Sequence, residues 1–226
     1  MSTRTASSIR RETGRPAPPR DCALCPRLVD LRGNLRARHP EWFNAPVPSF
    51  GDCRARLLIV GLAPGMAGAN RTGRPFTGDF AGDLLYPTLE KYGFAQGIYE
   101  RRPDDGLRLH DCRISNAVRC VPPENKPNGA EIRTCRAFLA AEIASLPKLT
   151  AILALGRVAH DSCLAVLGRK RAAHPFRHGA THEFDGGPCL ADSFHCSRYN
   201  TNTGRLTPEM FEAVFAKLRH RLDSGE

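Results

Sequence analysis

Apolar residues gather in four short runs, separated by stretches in which they recur every three or four positions. The runs are residues 56–61 (RLLIVG), 112–118 (CRISNAV), 150–156 (TAILALG) and 189–195 (CLADSFH), each of strand length and rich in aliphatic side chains. Runs of this kind predict strands covered on both faces. Residues 82–92, 130–145, 157–167 and 207–222 carry a helical period, the last opening with the start signal Thr207-Pro208-Glu209. Alternating strands and helices predict an α/β fold, a parallel sheet with helices on both faces. Each predicted strand ends in a loop rich in Gly, Pro, Asn or His, at the sheet end where such folds place their sites.

The 226 residues, 41% of them apolar, suit one domain with a sizeable core. Residues 1–20 are rich in Ser, Arg and Pro with Glu12 as their single acid, and predict a disordered basic tail before a domain over 21–226. Residues 39–51 carry too many prolines for helix. Residues 168–186 hold a basic run and His174, His178 and His182, but Pro175 and Gly179 break the helix that metal binding at this spacing would need, so solvated loop histidines are expected. A net charge of +10 suits a polyanion such as DNA or RNA. No apolar run approaches a membrane span. Nine cysteines, an odd number, and no secretory-type apolar run near the start predict a reducing cytoplasm, with metal rather than disulfides.

Four of the cysteines form a pattern. Cys22 and Cys25 make a C-x-x-C pair, and Cys120 and Cys135 lie far downstream beside the most polar loops. Four converging thiolates suit either an iron–sulfur cubane or zinc, so the spacing predicts a metal staple. Cys53, Cys112, Cys163, Cys189 and Cys196 show no such pairing and are expected as packed thiols.

The loop after the first run is glycine-rich, reading GLAPGMAGANRTGRPFTGD over 61–79. It lacks both G-K-[ST] and a G-x-G-x-x-G turning into a helix, which demotes a phosphate cradle but leaves room for a base or sugar. Asn116 lies near the end of the second run, and its amide offers a donor beside an acceptor, matching the N3–H and O4 edge of uracil. His195 closes the fourth run, where a neutral imidazole can donate to a carbonyl oxygen gaining negative charge. Phe76 supplies a flat ring on which a flipped base can stack. Together these residues predict a base pocket.

The chain resembles the iron–sulfur-containing uracil-DNA glycosylases, and within them family 5, the type B group. The resemblance rests on GLAPG after the first run, GRPFTGD at 73–79, NAVRC at 116–120 and HCSRYNTNTGRLT at 195–207, and with the cysteines it spans 22 to about 215. It implies a three-layer α/β/α sandwich around a four-stranded parallel sheet, and a [4Fe–4S] cluster on Cys22, Cys25, Cys120 and Cys135. It further implies that Phe76 stacks the extruded uracil, Asn116 reads its edge and His195 stabilises the departing base. Leu62 and Ala63 stand where better-known glycosylases place a polar or acidic residue, so Asp79 is expected to orient the water while the Leu62 and Ala63 amides face the base. Asp83, the rival carboxylate, falls inside the predicted helix and is expected at its solvent face. Cys196 replaces the proline of the superfamily's His-Pro-Ser. Residues 197–200 are expected to form the loop that enters the duplex, with Arg198 and Arg205 on DNA.

The activity implied is excision of uracil, and also of hypoxanthine and xanthine, from DNA in base excision repair, by a monomer of the bacterial cytoplasm associated with the nucleoid. The alternative is a non-catalytic, metal-stapled nucleic-acid-binding module, which has no need of Phe76, Asp79, Asn116 and His195 together.

Overall fold

The computed structural model of the chain describes residues 17–225. The first half contains α1 (Pro26–Arg38), β1 (Phe50–Gly51), β2 (Leu57–Gly61), α2 (Ala69–Thr72), α3 (Phe80–Lys91), β3 (Ala95–Gln96), β4 (Arg108–Leu109) and β5 (Cys112–Asn116). The second contains α4 (Gly129–Ala144), β6 (Ala151–Leu155), α5 (Arg157–Val166), β7 (Thr181–His182), β8 (Cys189–Ser193), α6 (Arg198–Asn202) and α7 (Pro208–Ser224).

The four aliphatic runs become the parallel strands β5, β2, β6 and β8, all fully buried, but the sheet has six strands rather than the expected four. β1 and β7 pair antiparallel at its two edges, giving the order β1-β5-β2-β6-β8-β7. Each edge strand is two residues long, too short to show any periodicity in sequence. β3 and β4 form a separate ribbon.

Side chains alternate across the sheet and sort the helices into two layers. Leu57 and Ile59 pack with Leu85 and Leu89 of α3 and Phe211 and Phe215 of α7. Leu58 and Val60 pack on the opposite face with Leu139 of α4 and Cys163 and Leu164 of α5. Each such fully buried aliphatic or aromatic side chain contributes about 1.5–3 kcal/mol through burial. α7 starts where expected, with the Thr207 side chain accepting from the Met210 amide at 3.2 Å.

Helix α1 is not announced by its sequence, because its few apolar residues lie among charges. It holds by tertiary contacts: Leu28 and Leu35 are buried, and Arg27 makes a paired 2.8 Å contact with Glu131 at the start of α4. The expected tail falls largely on residues 1–16, outside the described residues; of residues 17–20, the Pro19 carbonyl accepts from the Cys22 amide at 2.9 Å.

The histidine-rich segment is not a solvated loop. It passes through a 3-10 turn (Arg171–Ala173) into β7 and folds against β8. His182 Nε2 donates to Asp192 at 3.1 Å, and His178 Nδ1 accepts from the Phe194 amide at 3.2 Å. Buried His160 places Nδ1 2.7 Å from the Asp192 carboxylate and Nε2 2.9 Å from the His174 carbonyl. Both of its ring nitrogens face acceptors, an arrangement that favours the imidazolium and raises its pKa. His160, His182 and Asp192 are the one trio of metal-ligating atoms within 4.8 Å of one another among the described residues, and the histidine nitrogens that face Asp192 are hydrogen-bond donors to its two carboxylate oxygens. The trio is an ion-pair latch across β8. Among the described residues, no helix is long and apolar enough to cross a membrane.

Candidate active site

The carboxyl ends of β2, β6 and β8 open into one cleft of about 660 Å³. β2 delivers Leu62 and Ala63, β6 delivers Gly156 and Arg157, and β8 runs on to His195, all in its wall. An inner recess is lined by Ala63, Phe76, Asp79, Asn116 and His195 among others, bringing the expected pocket residues together. The recess holds about 30 Å³, the space of a water or so, and its walls must part to seat a base.

Gly61 makes the recess possible. A methyl group on its Cα would overlap both the Asn116 side-chain oxygen and the Phe76 ring, which would meet it at 2.6 Å. Asn116 is 3% exposed and its Oδ1 has no hydrogen-bond partner. Such an orphaned acceptor costs about 1–3 kcal/mol. Phe76 sits at φ +54°, a conformation bulky residues avoid, and its ring stacks on His195 at 5.8 Å between centroids, the planes inclined by 26°.

Asp79 caps α3, which begins at Phe80, two residues earlier than the pattern suggests. Its Oδ1 accepts from the Ala81 amide at 3.1 Å. The other oxygen lies against Gly65 and Gly68, where any Cβ would strike it. Burial raises the Asp79 pKa above the usual carboxylate value, against the opposing hydrogen bonds from Ala81 and Gly82. Asp83 points outward instead and pairs with Arg101 at 2.7 Å. Burial pulls His195 down to about 4, so its ring is neutral at pH 7. Asn200 Nδ2 donates to the His195 carbonyl at 2.8 Å and fixes the backbone that presents it.

At the mouth, residues 197–200 are not an open loop. Ser197 caps α6, Arg198 lies over the Phe80 ring at 5.4 Å, and Tyr199 is 71% exposed. Arg205 is not in the cleft wall but lies over Phe194, 4.5 Å from the ring centroid. Met66, Asn125 and Arg157 line the cleft without having been singled out from the sequence. Arg157 was legible in principle, as the first side chain after the third strand's terminal glycine.

The four paired cysteines surround a separate cavity with Leu28, Arg32 and Phe138 in its wall. Arg32 is 5% exposed, with Nη1 3.8 Å from Cys120 Sγ and Nη2 donating to the Cys22 carbonyl at 2.8 Å. The Arg119 amide donates to Cys135 Sγ at 3.3 Å. Burial pushes the Cys120 thiol up to about 12 and raises Cys25 and Cys135, so only a bound cation would draw off their protons. Tetrahedral zinc, with Zn–S of about 2.3 Å, brings its sulfurs to about 3.8 Å from each other. Among the described residues, no three of these sulfurs stand within 4.8 Å of one another.

A parallel sheet whose strand ends present a buried amide, an aromatic ring, a neutral imidazole and a carboxylate defines a base-handling α/β protein. The chain belongs to the uracil-DNA glycosylase superfamily, whose family model, described as "Uracil DNA glycosylase superfamily", matches residues 48–219. Within it the chain belongs to the type-5 group. It is 48% identical over 203 residues to the type-5 uracil-DNA glycosylase of Thermus thermophilus, covering 88% of this chain and 92% of that protein. It is 42% identical over 207 residues to that of Mycobacterium bovis, covering 88% of this chain and 77% of the relative. A third relative, from Pyrobaculum aerophilum, is 39% identical over 201 residues, with 87% of each chain covered.

Proposed function

We propose that this chain is a uracil-DNA glycosylase that flips a deaminated base out of DNA and hydrolyses its N-glycosidic bond, leaving an abasic site. The observation that carries this reading is the buried, unpartnered Asn116 Oδ1 beside Phe76 and His195. It is an acceptor waiting for a donor such as uracil N3–H, whose ring would stack on Phe76.

In the reaction, the electron pair of the C1′–N bond leaves with the base, and water adds to C1′ and gives up a proton. The departing base takes up one proton, so the sum is hydrolysis. Positive charge grows on the sugar and negative charge on the base oxygens. The Asp79 carboxylate stabilises the sugar and orients the water. Neutral His195 donates to a base oxygen, assisted by the Leu62 and Ala63 amides. Reading by one Asn side chain and backbone admits hypoxanthine and xanthine beside uracil. Arg198 engages DNA at the mouth, and Arg205 contacts DNA from its place over Phe194. The protein acts as a monomer on chromosomal DNA in the cytoplasm.

Cys22, Cys25, Cys120 and Cys135 would hold a [4Fe–4S] cluster, which supplies a covalent staple between the segment leading into α1 and the β5–α4 region.

The direct test is incubation with an oligonucleotide carrying one uracil, followed by alkali. Strand cleavage at that position is expected. Binding with no excision of uracil, hypoxanthine or xanthine would instead establish the non-catalytic module.

A further inference from the structure

The ring expected under the flipped base is held by a residue that never reaches it. Phe76 adopts φ +54°, and a bulky residue keeps that conformation only when its surroundings impose it. The surroundings are the segment 99–107, which lies outside both the cleft and the recess. Tyr99 Oη donates to the Phe76 carbonyl at 3.1 Å and accepts from the Gly78 amide at 3.3 Å, bracketing the turn on both sides. A methyl group at Gly82 would overlap the Phe76 carbonyl and the Tyr99 hydroxyl together, so this contact sits directly on the first turn of α3.

Tyr99 is itself braced. Its ring packs on Tyr86 at 4.5 Å between centroids, and the Arg74 guanidinium lies 5.4 Å from the Tyr86 centroid and 5.8 Å from that of Tyr99. Arg74 is locked by two 2.7 Å contacts to fully buried Asp105, which also accepts from the Glu100 and Leu107 amides. Two aromatic rings, one buried ion pair and one hydroxyl therefore converge on a single strained residue.

We propose that Tyr99 is a positioning residue whose hydroxyl sets the Phe76 ring for the extruded base. This rests on the reading of Phe76 as the stacking platform. Tyr99→Phe removes the hydroxyl and keeps the ring. With wild-type excision of uracil established first, affinity is measured for two oligonucleotides: one bearing 2′-fluoro-deoxyuridine, whose glycosidic bond resists cleavage, and one bearing an abasic site. Tyr99→Phe should bind the first about tenfold more weakly and the second unchanged, with thermal unfolding within a few degrees of wild type. In a Phe76→Leu background the same change should cost nothing further, because the two residues act as one unit. Asp105→Asn, which loosens Arg74 under the same ring and leaves the hydroxyl in place, should reproduce the selective loss in weaker form. Equal losses on both oligonucleotides, no loss on either, or additivity with Phe76→Leu would overturn the assignment and leave the excision activity standing.

Discussion

The carboxylate of Asp79 occupies the space that a side chain on Gly68 would need. The glycine-rich loop is thus the seat of an acid, which explains why it lacks the signature of a phosphate cradle. Asp79→Asn should slow single-turnover excision by about a hundredfold or more while uracil-DNA affinity changes little, because the charge opposite the sugar is lost and the stacking ring stays. Gly68→Ala should slow the same step by about tenfold and add little to Asp79→Asn, since both act on one group. Asp83→Asn, which removes only the outward pair with Arg101, should leave the rate near wild type. A near-normal rate for Asp79→Asn removes it from the mechanism.

Excision should fall on the acid side at a higher pH than an ordinary aspartate would dictate. Burial raises the Asp79 pKa, so the carboxylate takes up its proton while an exposed aspartate would still be charged. His195, held down at about 4 by burial, is neutral at pH 7. A single-turnover pH profile should show the limb in wild type and lose it in Asp79→Asn. A limb that survives the substitution belongs to another group.

The His160–Asp192 pair makes stability depend on pH in the opposite sense. Burial disfavours the imidazolium, but the hydrogen bond and charge of Asp192 outweigh it, with help from the His174 carbonyl and Asp161, and the folded pKa is raised. The stabilisation is therefore fully present below the unfolded value of about 6.5 and is lost as pH rises through the folded pKa. Asp192→Asn should cost about 3–5 kcal/mol near pH 6, as breaking a buried pair does, and less at alkaline pH. Urea midpoints across pH measure this, and a cost independent of pH would show that His160 is neutral.

Arg198→Ala should weaken DNA binding, lower the slope of log affinity against log salt by about 0.9, and leave the single-turnover rate at saturating enzyme unchanged. Arg157→Ala should do the same from elsewhere in the cleft lining, where its guanidinium lies over Phe176 at 5.6 Å. Arg205→Ala reports whether a guanidinium stacked on Phe194 also reaches DNA: an unchanged salt slope would withdraw it from the interface.

Anaerobically purified protein should be brown, with about four irons per chain. Cys135→Ser should lower folded yield and iron content far more than it alters which bases the remaining protein excises. Zinc in place of iron, or normal yield and iron in the variant, would remove the staple.

The sequence by itself determined the parallel core, because runs such as LLIVG and AILAL are apolar on both faces and only a sheet covered on both sides hides them. It also determined which residues end those runs, so Asn116 and His195 were legible as neighbours at one end of the sheet, as was the four-cysteine set. Tertiary structure alone decided what depends on close approach across the chain. The two-residue edge strands exist only because longer strands offer them a ladder, and α1 stands on the Arg27–Glu131 pair rather than on its own pattern. Histidines that look like solvent-facing loop residues became partners of Asp192 and Phe194 because β7 brings them onto β8. The hydroxyl that brackets the strained Phe76 and the fit of Asp79 against Gly68 join residues 23 and 11 positions apart at contact distance. Local preference cannot encode such contacts, since each is set by the shape left once the core has packed.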